Sequence, residues 1–272
     1  MVAPSGPFDR PSFEKGLLLL AARYQPVFTE RLFATHRYLA GTDAARSAEL
    51  QGALDDDSIR AVFAARGGYG AMHLLPSLQL STPKWLVGFS DFTALHCAAQ
   101  KHGWLTAHAP VLTQLGKQPP EVVERLFALL EGRPSATLTS ARTVTKGVAE
   151  GPLLGGNLSV LTRLIGTRWI PDLRGCVLLL EDVGEKPYRL DRMWTHLKLA
   201  GLFEDVRGIA LGEFTGCDEK DYSGDEVISE LAARLALPCA TGFRVGHGEV
   251  NEPVPLGATV RLDADARTLS FS

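Results

Sequence analysis

Short apolar runs rich in β-branched and aromatic residues alternate with helix-like stretches through the first half of the chain, and few architectures accept that alternation. Ile59-Arg60-Ala61-Val62-Phe63-Ala64 and Trp85-Leu86-Val87-Gly88-Phe89 read as strands, while 44–54, 70–75 and 91–101 read as helices. Parallel strands need a crossover connection, so this spacing predicts βαβ units in a mostly parallel sheet covered by helices. In such sheets the functional loops lie beyond the carboxyl ends of the strands.

A boundary is expected after Pro119-Pro120. Residues 121–130 follow as an amphipathic helix, with Val122, Val123, Leu126, Leu129 and Leu130 at helical spacing. The Thr/Ser-rich run to Thr145 reads as connection. A second region opens near Gly151. It holds an apolar strand at 176–180, a long helix over 189–202, a strand at 209–214, a helix over 226–235 and a closing hairpin at 258–262 and 268–271. The expected division is therefore 1–120, a connecting helix and linker over 121–148, and 149–272.

Charge narrows the function. With 28 Lys plus Arg against 31 Asp plus Glu, the net charge of -3 lacks the basic surplus of a nucleic-acid binder. The apolar run 16–22 is far short of the roughly 20 residues a membrane span needs, and no basic region leads it as in a signal peptide. Four cysteines lie far apart with no C-x-x-C pair, which predicts reduced, packed thiols in a reducing, cytoplasmic setting.

Four segments have residues suited to chemistry. Gly88-Phe89-Ser90-Asp91-Phe92-Thr93 takes a strand directly into a helix, where a nucleophilic serine needs a sharp turn and an adjacent N–H for an oxyanion. Position 92 is Phe, so the G-x-S-x-G pattern is incomplete, and on local residues alone Ser90 reads better as a helix N-cap. Ala65-Arg66-Gly67-Gly68-Tyr69-Gly70 exposes backbone N–H groups fit for an anion or an oxyanion, without a nucleotide-binding pattern. Glu181 ends the apolar strand, a rigid place for a carboxylate that orients a histidine, whereas Asp182 and Glu185 read as solvated or capping. His247 lies between glycines and suits a general base; the other six histidines read as satisfied surface or core residues. Metal ligation finds no suitable cluster.

Taken in order, these segments resemble the serine-type L,D-carboxypeptidases, which include murein tetrapeptide carboxypeptidases and microcin C immunity peptidases. The resemblance runs nearly the full length: Val2-Ala3-Pro4-Ser5-Gly6, the Arg66–Gly70 loop, the Ser90 turn, Gly155-Gly156-Asn157-Leu158 with Ile165-Gly166-Thr167, Glu181-Asp182 with Pro187-Tyr188-Arg189, Gly246-His247 and Pro255-Leu256-Gly257. The chain starts almost inside its first strand, so that strand is expected to be short or its start trimmed.

The resemblance implies Ser90 as nucleophile, His247 as base and Glu181 as the acid that orients it, which replaces the N-cap reading. It implies an oxyanion hole from the N–H groups of Asp91 and Gly68. The implied fold is α/β: an N-terminal parallel-sheet domain carrying the serine, a C-terminal mixed, partly β domain carrying Glu181 and His247, and a site in the cleft between them. No metal or cofactor is implied. The implied substrate is the cytoplasmic murein tetrapeptide, cut to release its terminal D-Ala in peptidoglycan recycling, and the implied assembly is a homodimer. Substrate contacts are expected from Arg66, Tyr69, Asn157 and Arg189. Two other readings remain: an immunity peptidase acting on an adenylate-like peptide antibiotic, with Trp169 as a nucleobase platform, and a non-catalytic binding protein of the same fold.

Overall fold

Asp9 accepts from the Ser12 N–H at 2.8 Å and Pro11 occupies the first turn, so the chain turns helical at Arg10. The computed structural model describes residues 1–271, and its first helix, α1 (Arg10–Ala21), contains most of the apolar 16–22 run. α1 buries Phe13 and Leu20 in one cluster with Phe63, Val87 and Ala107 of the first sheet. No helix among the described residues is long and apolar enough to cross a membrane.

The remaining elements of the first half are α2 (Asp43–Asp55), β1 (Ala61–Phe63), β2 (Trp85–Gly88), α3 (Thr93–Gln100), β3 (Thr106–His108), α4 (Leu112–Leu115) and α5 (Pro120–Leu130). β1, β2 and β3 pair in parallel, as the alternation predicts, and Val2 adds a single parallel bridge to Ala64. Only this isolated bridge stands where the sequence suggests a short first strand. The stretch 70–75, expected as an α-helix, forms instead a 3-10 helix over Ala71–Ser77. Pro76 lies within it and lacks the N–H that would propagate an α-helix.

The second half comprises β4 (Leu138–Thr139), β5 (Arg142–Thr145), β6 (Val148–Asn157), α6 (Leu158–Arg163), β7 (Val177–Val183), α7 (Pro187–Leu199), β8 (Gly208–Thr215), α8 (Gly224–Ala233), β9 (Cys239–Thr241), β10 (Val254–Leu256), β11 (Thr259–Asp263) and β12 (Thr268–Phe271). Its sheet is mixed, in the order β4-β12-β11-β6-β7-β8-β9-β5, with β6 to β9 parallel. α7 places Leu190, Met193, Trp194 and Leu197 on one buried face at helical spacing. β7 is buried from Val177 to Asp182, as a strand covered on both faces must be.

Two segments depart from the sequence reading. The Thr/Ser-rich run after α5, expected as a connection, supplies β4 and β5, which pair antiparallel with β12 and β9; its Thr and Val residues are β-branched and suit edge strands. β10 lies in the C-terminal stretch yet pairs antiparallel with β3, Val254 opposite His108, so the chain crosses back into the first sheet. Between the two sheets runs α3, buried from Thr93 to Ala99 and in contact with β6 and α6. Its buried side chains join a core shared by Leu86 and Phe89 on one side and Leu154, Leu158 and Leu178 on the other. The four cysteines are all unpaired and buried.

Candidate active site

At the carboxyl end of β2 the backbone turns sharply. Ser90 has φ +64°, a left-handed conformation that a non-glycine residue adopts only when its surroundings enforce it. The enforcement comes from packing. A Cβ at Gly88 would fall 2.9 Å from the Phe92 ring and from Ala64 Cβ, and one at Gly67 would fall 3.0 Å from Ser90 Cβ. Both glycines therefore make room for a serine held off the end of the sheet. Ser90 is half-buried and its hydroxyl caps no helix, which settles the local ambiguity against the N-cap.

The Asp91 side chain fixes the turn from below. Its Oδ2 accepts from Ser5 Oγ at 2.6 Å and from the Ala71 N–H at 2.8 Å, and the residue is buried. The Gly6 N–H donates to Gly67 O at 3.1 Å. Buried Arg46 closes the arrangement from α2, donating to Pro4 O and to Gly70 O. The N-terminal motif, the glycine loop and the serine turn are thus one braced unit. Among the described residues the backbone N–H groups of Asp91 and Gly68 have no acceptor, and Gly68 takes φ +113°. Both positions lie in the segments that the sequence reading offers as oxyanion donors.

Glu181 lies on β7, fully buried, and its Oε2 accepts from His247 Nδ1 at 2.7 Å. Glycines again allow the approach. Gly246 has φ +124°, and a Cβ there would fall 2.6 Å from Glu181 Oε2; a Cβ at Gly212 would fall 3.1 Å from Glu181 Cβ. Burial pulls the His247 imidazole down, but the Glu181 bond and the charges of Glu181 and Asp182 outweigh it, so its pKa lies above the ordinary histidine value. With Nδ1 bound to Glu181, Nε2 is the nitrogen left for chemistry. The His247 ring packs on Phe89, the residue before Ser90, with centroids 4.6 Å apart. No hydrogen bond among the described residues joins Ser90 to His247; such bonds are often long until substrate binds.

Other expected residues fall in varied places. Asp182 is buried, not solvated: it accepts from Asn157 Nδ2 at 3.1 Å, the Val183 N–H at 2.8 Å and the Ser159 N–H at 2.8 Å, so it caps α6. Burial and the adjacent Glu181 charge push its carboxyl up to about 7 despite these donors. Asn157, expected to touch substrate, is buried with its amide oxygen on the Val160 N–H and its amide nitrogen on Asp182. Tyr69 is exposed, with its hydroxyl 3.2 Å from His73 Nε2. Arg66 donates to Pro7 O, and Arg189 pairs with Glu185 at 3.5 Å.

Two histidines beside the site are core residues, as the sequence suggests, though one is left without partners. His96 donates from Nε2 to Gly88 O at 2.9 Å, and burial lowers its pKa to about 4. His108, at the end of β3, has no hydrogen-bond partner for either ring nitrogen, and burial followed by the charges of His96 and His247 holds it well below the ordinary histidine value. Among the described residues no group of His, Cys, Asp and Glu side chains has metal-site geometry.

Residues 1–109 match the LD-carboxypeptidase N-terminal domain and residues 150–262 the LD-carboxypeptidase C-terminal domain. The murein tetrapeptide carboxypeptidase of Pseudomonas aeruginosa is 38% identical over 251 residues, covering 85% of this chain and 81% of that protein. The chain belongs to the LD-carboxypeptidase family. A muramoyltetrapeptide carboxypeptidase from Oxalobacter formigenes has the same fold, with a TM-score of 0.88 at 28% identity over 99% of this chain and 97% of the other. The microcin C7 self-immunity protein MccF of Escherichia coli is more distant, 27% identical over 88% of this chain and 81% of that protein. Both branches named by the sequence resemblance are therefore relatives, and the site has to distinguish them.

Proposed function

We propose that this carboxypeptidase is of the serine type and releases the terminal D-Ala of murein tetrapeptides through Ser90, His247 and Glu181. One observation carries the reading: a buried carboxylate bonded at 2.7 Å to a histidine whose ring rests on Phe89, next to a left-handed serine at a strand end. His247 Nε2 takes the Ser90 proton as Oγ attacks the carbonyl carbon of the bond to D-Ala. The carbonyl oxygen becomes an oxyanion against the Asp91 and Gly68 N–H groups. Collapse expels the D-Ala amine, which receives its proton from His247 and leaves Ser90 acylated. Water, deprotonated by His247, then attacks the ester and frees the shortened peptide and the serine.

The murein substrate is supported over the antibiotic by the higher identity to the Pseudomonas aeruginosa murein tetrapeptide carboxypeptidase, 38% against 27% for MccF, and by Trp169. That side chain is half-buried against the core, with the Arg168 guanidinium 4.5 Å from its ring centre, the packing role rather than an open platform. Incubation with purified murein tetrapeptide and, side by side, with an aminoacyl-sulfamoyl adenosine is expected to release D-Ala rapidly and leave the nucleoside conjugate largely intact. The reverse preference would move the chain to the immunity branch.

Gly67 supplies a second check on the elbow. In Gly67→Ala the new methyl carbon sits 3.0 Å from Ser90 Cβ and 3.1 Å from Oγ, closer than ordinary contact. The serine must shift by tenths of an ångström, and kcat is expected to fall about ten- to hundredfold. A thermal midpoint close to that of the unmodified chain separates this from unfolding.

A further inference from the structure

We infer that Gln118 and Asn251 are positioning residues for His247, joining the loop that carries it to the half of the molecule that carries Ser90; the inference rests on the triad proposed above. Ser90 and Glu181 stand on different sheets, and His247 has to serve both. Its loop leaves the second sheet at Val245, whose carbonyl accepts from the Glu213 N–H at 3.0 Å, and enters the first at Val254 opposite His108. Between these anchors the Gly246 N–H donates to Asn251 Oδ1 at 2.9 Å. The Asn251 N–H donates in turn to Gln118 Oε1 at 2.9 Å, and Gln118 Nε2 donates to Glu249 O at 3.3 Å. Gln118 precedes α5 and belongs to the serine-bearing half.

A second tie runs parallel. The Glu252 N–H donates to Arg244 O at 2.7 Å, and the buried Glu252 carboxylate accepts from Arg244 at 3.2 Å and from Arg125 of α5. Asn251 is buried and accepts from the residue next to the base, so any movement of Gln118 is passed through one side chain to Gly246. The Glu181 bond and the Phe89 contact hold the His247 ring itself, while the Gln118 tie holds the backbone beside it through Asn251 and Gly246, so slackening the tie loosens both. A side chain that acts at one remove from the base changes how often the reactive geometry is reached, not how substrate is held.

The test uses Gln118→Ala, a half-buried position whose truncation leaves the apolar core untouched. The rate of Ser90 labelling by a fluorophosphonate is measured against pH for the intact protein, Gln118→Ala and the Ser90→Ala control, with D-Ala release and thermal midpoint in parallel. The expected result is a loss of about tenfold in labelling rate and in kcat, little change in KM, and an acid limb moved to lower pH. The limb moves because a slackened Glu181 bond leaves burial to depress the imidazole. Labelling of Gln118→Ala at the intact rate with an unmoved limb overturns the assignment, and so does a lowered midpoint with unchanged labelling per folded molecule. Failure of the intact protein to label removes the triad itself, and the positioning role with it, an outcome distinct from the other two.

Discussion

Ser90→Ala is expected to lower D-Ala release from murein tetrapeptide by about 10⁶-fold while leaving the fold unchanged. Removing the nucleophile leaves only what binding and the oxyanion donors contribute, because His247 and Glu181 then have no proton to move. Stability should scarcely respond. The Ser90 hydroxyl caps no helix, and alanine keeps the same Cβ in the same left-handed turn. Ser90→Gly sharpens the argument: glycine accepts φ +64° without the Cβ penalty, so this variant should be inactive and about 1 kcal/mol more stable than the intact protein. Stability gained at the cost of activity is the signature of strain kept for function. Retained hydrolysis by Ser90→Ala, measured by D-Ala release under matched protein concentration, would falsify the triad.

The parts of this site that could be read from sequence are those carried by short, continuous segments. Ser90 follows an apolar run that must be a buried strand, so its place beyond a strand end comes from local pattern. Glu181 follows another, but β7 continues past it to Val183, so it lies within the strand and not at its end as the sequence suggests. The glycines around His247 and before Tyr69 are legible because only positive φ or close approach calls for them there. What sequence conceals is the meeting of distant segments. β3 and β10 are three residues each, too short to show a period, and their pairing is decided by the crossing of the chain. Asp91 offered its N–H to sequence reasoning, yet its carboxylate, which ties Ser5 to Ala71, was invisible because neither partner is near in sequence. Arg46, Gln118 and Asn251 carry no local signal at all: a polar residue in a helix or loop reads as solvated until its partner is placed beside it. Asp182 is the same case, a carboxylate that looks exposed after a strand and is buried by α6.

Glu181→Gln and His247→Ala test the other half of the site, and their effects should differ in size and in kind. His247→Ala removes the base and is expected to cost about 10⁶-fold in kcat, as large a loss as removing the serine. Glu181→Gln keeps the base and should cost about 10⁴-fold. The amide has two poor choices. It can turn its oxygen to His247 Nδ1, which strands its NH2 where Glu181 Oε1 now has no partner, at a cost of about 1–3 kcal/mol. Or it can turn its NH2 to Nδ1, which forces the imidazole proton onto Nε2 and makes that nitrogen a donor instead of the base. The pH profile separates the two variants. In the intact protein the Glu181 bond and charge hold the His247 pKa above the ordinary value against burial. Catalysis needs the neutral imidazole, so kcat/KM rises as pH climbs through that raised pKa. With the carboxylate gone, burial acts unopposed except for Asp182, the pKa drops, and the acid limb of Glu181→Gln must move to lower pH although the plateau is far beneath that of the intact protein. His247→Ala should lose that limb altogether. A Glu181→Gln profile whose acid limb stays where it was would show that Glu181 does not set the base, whatever the fall in rate.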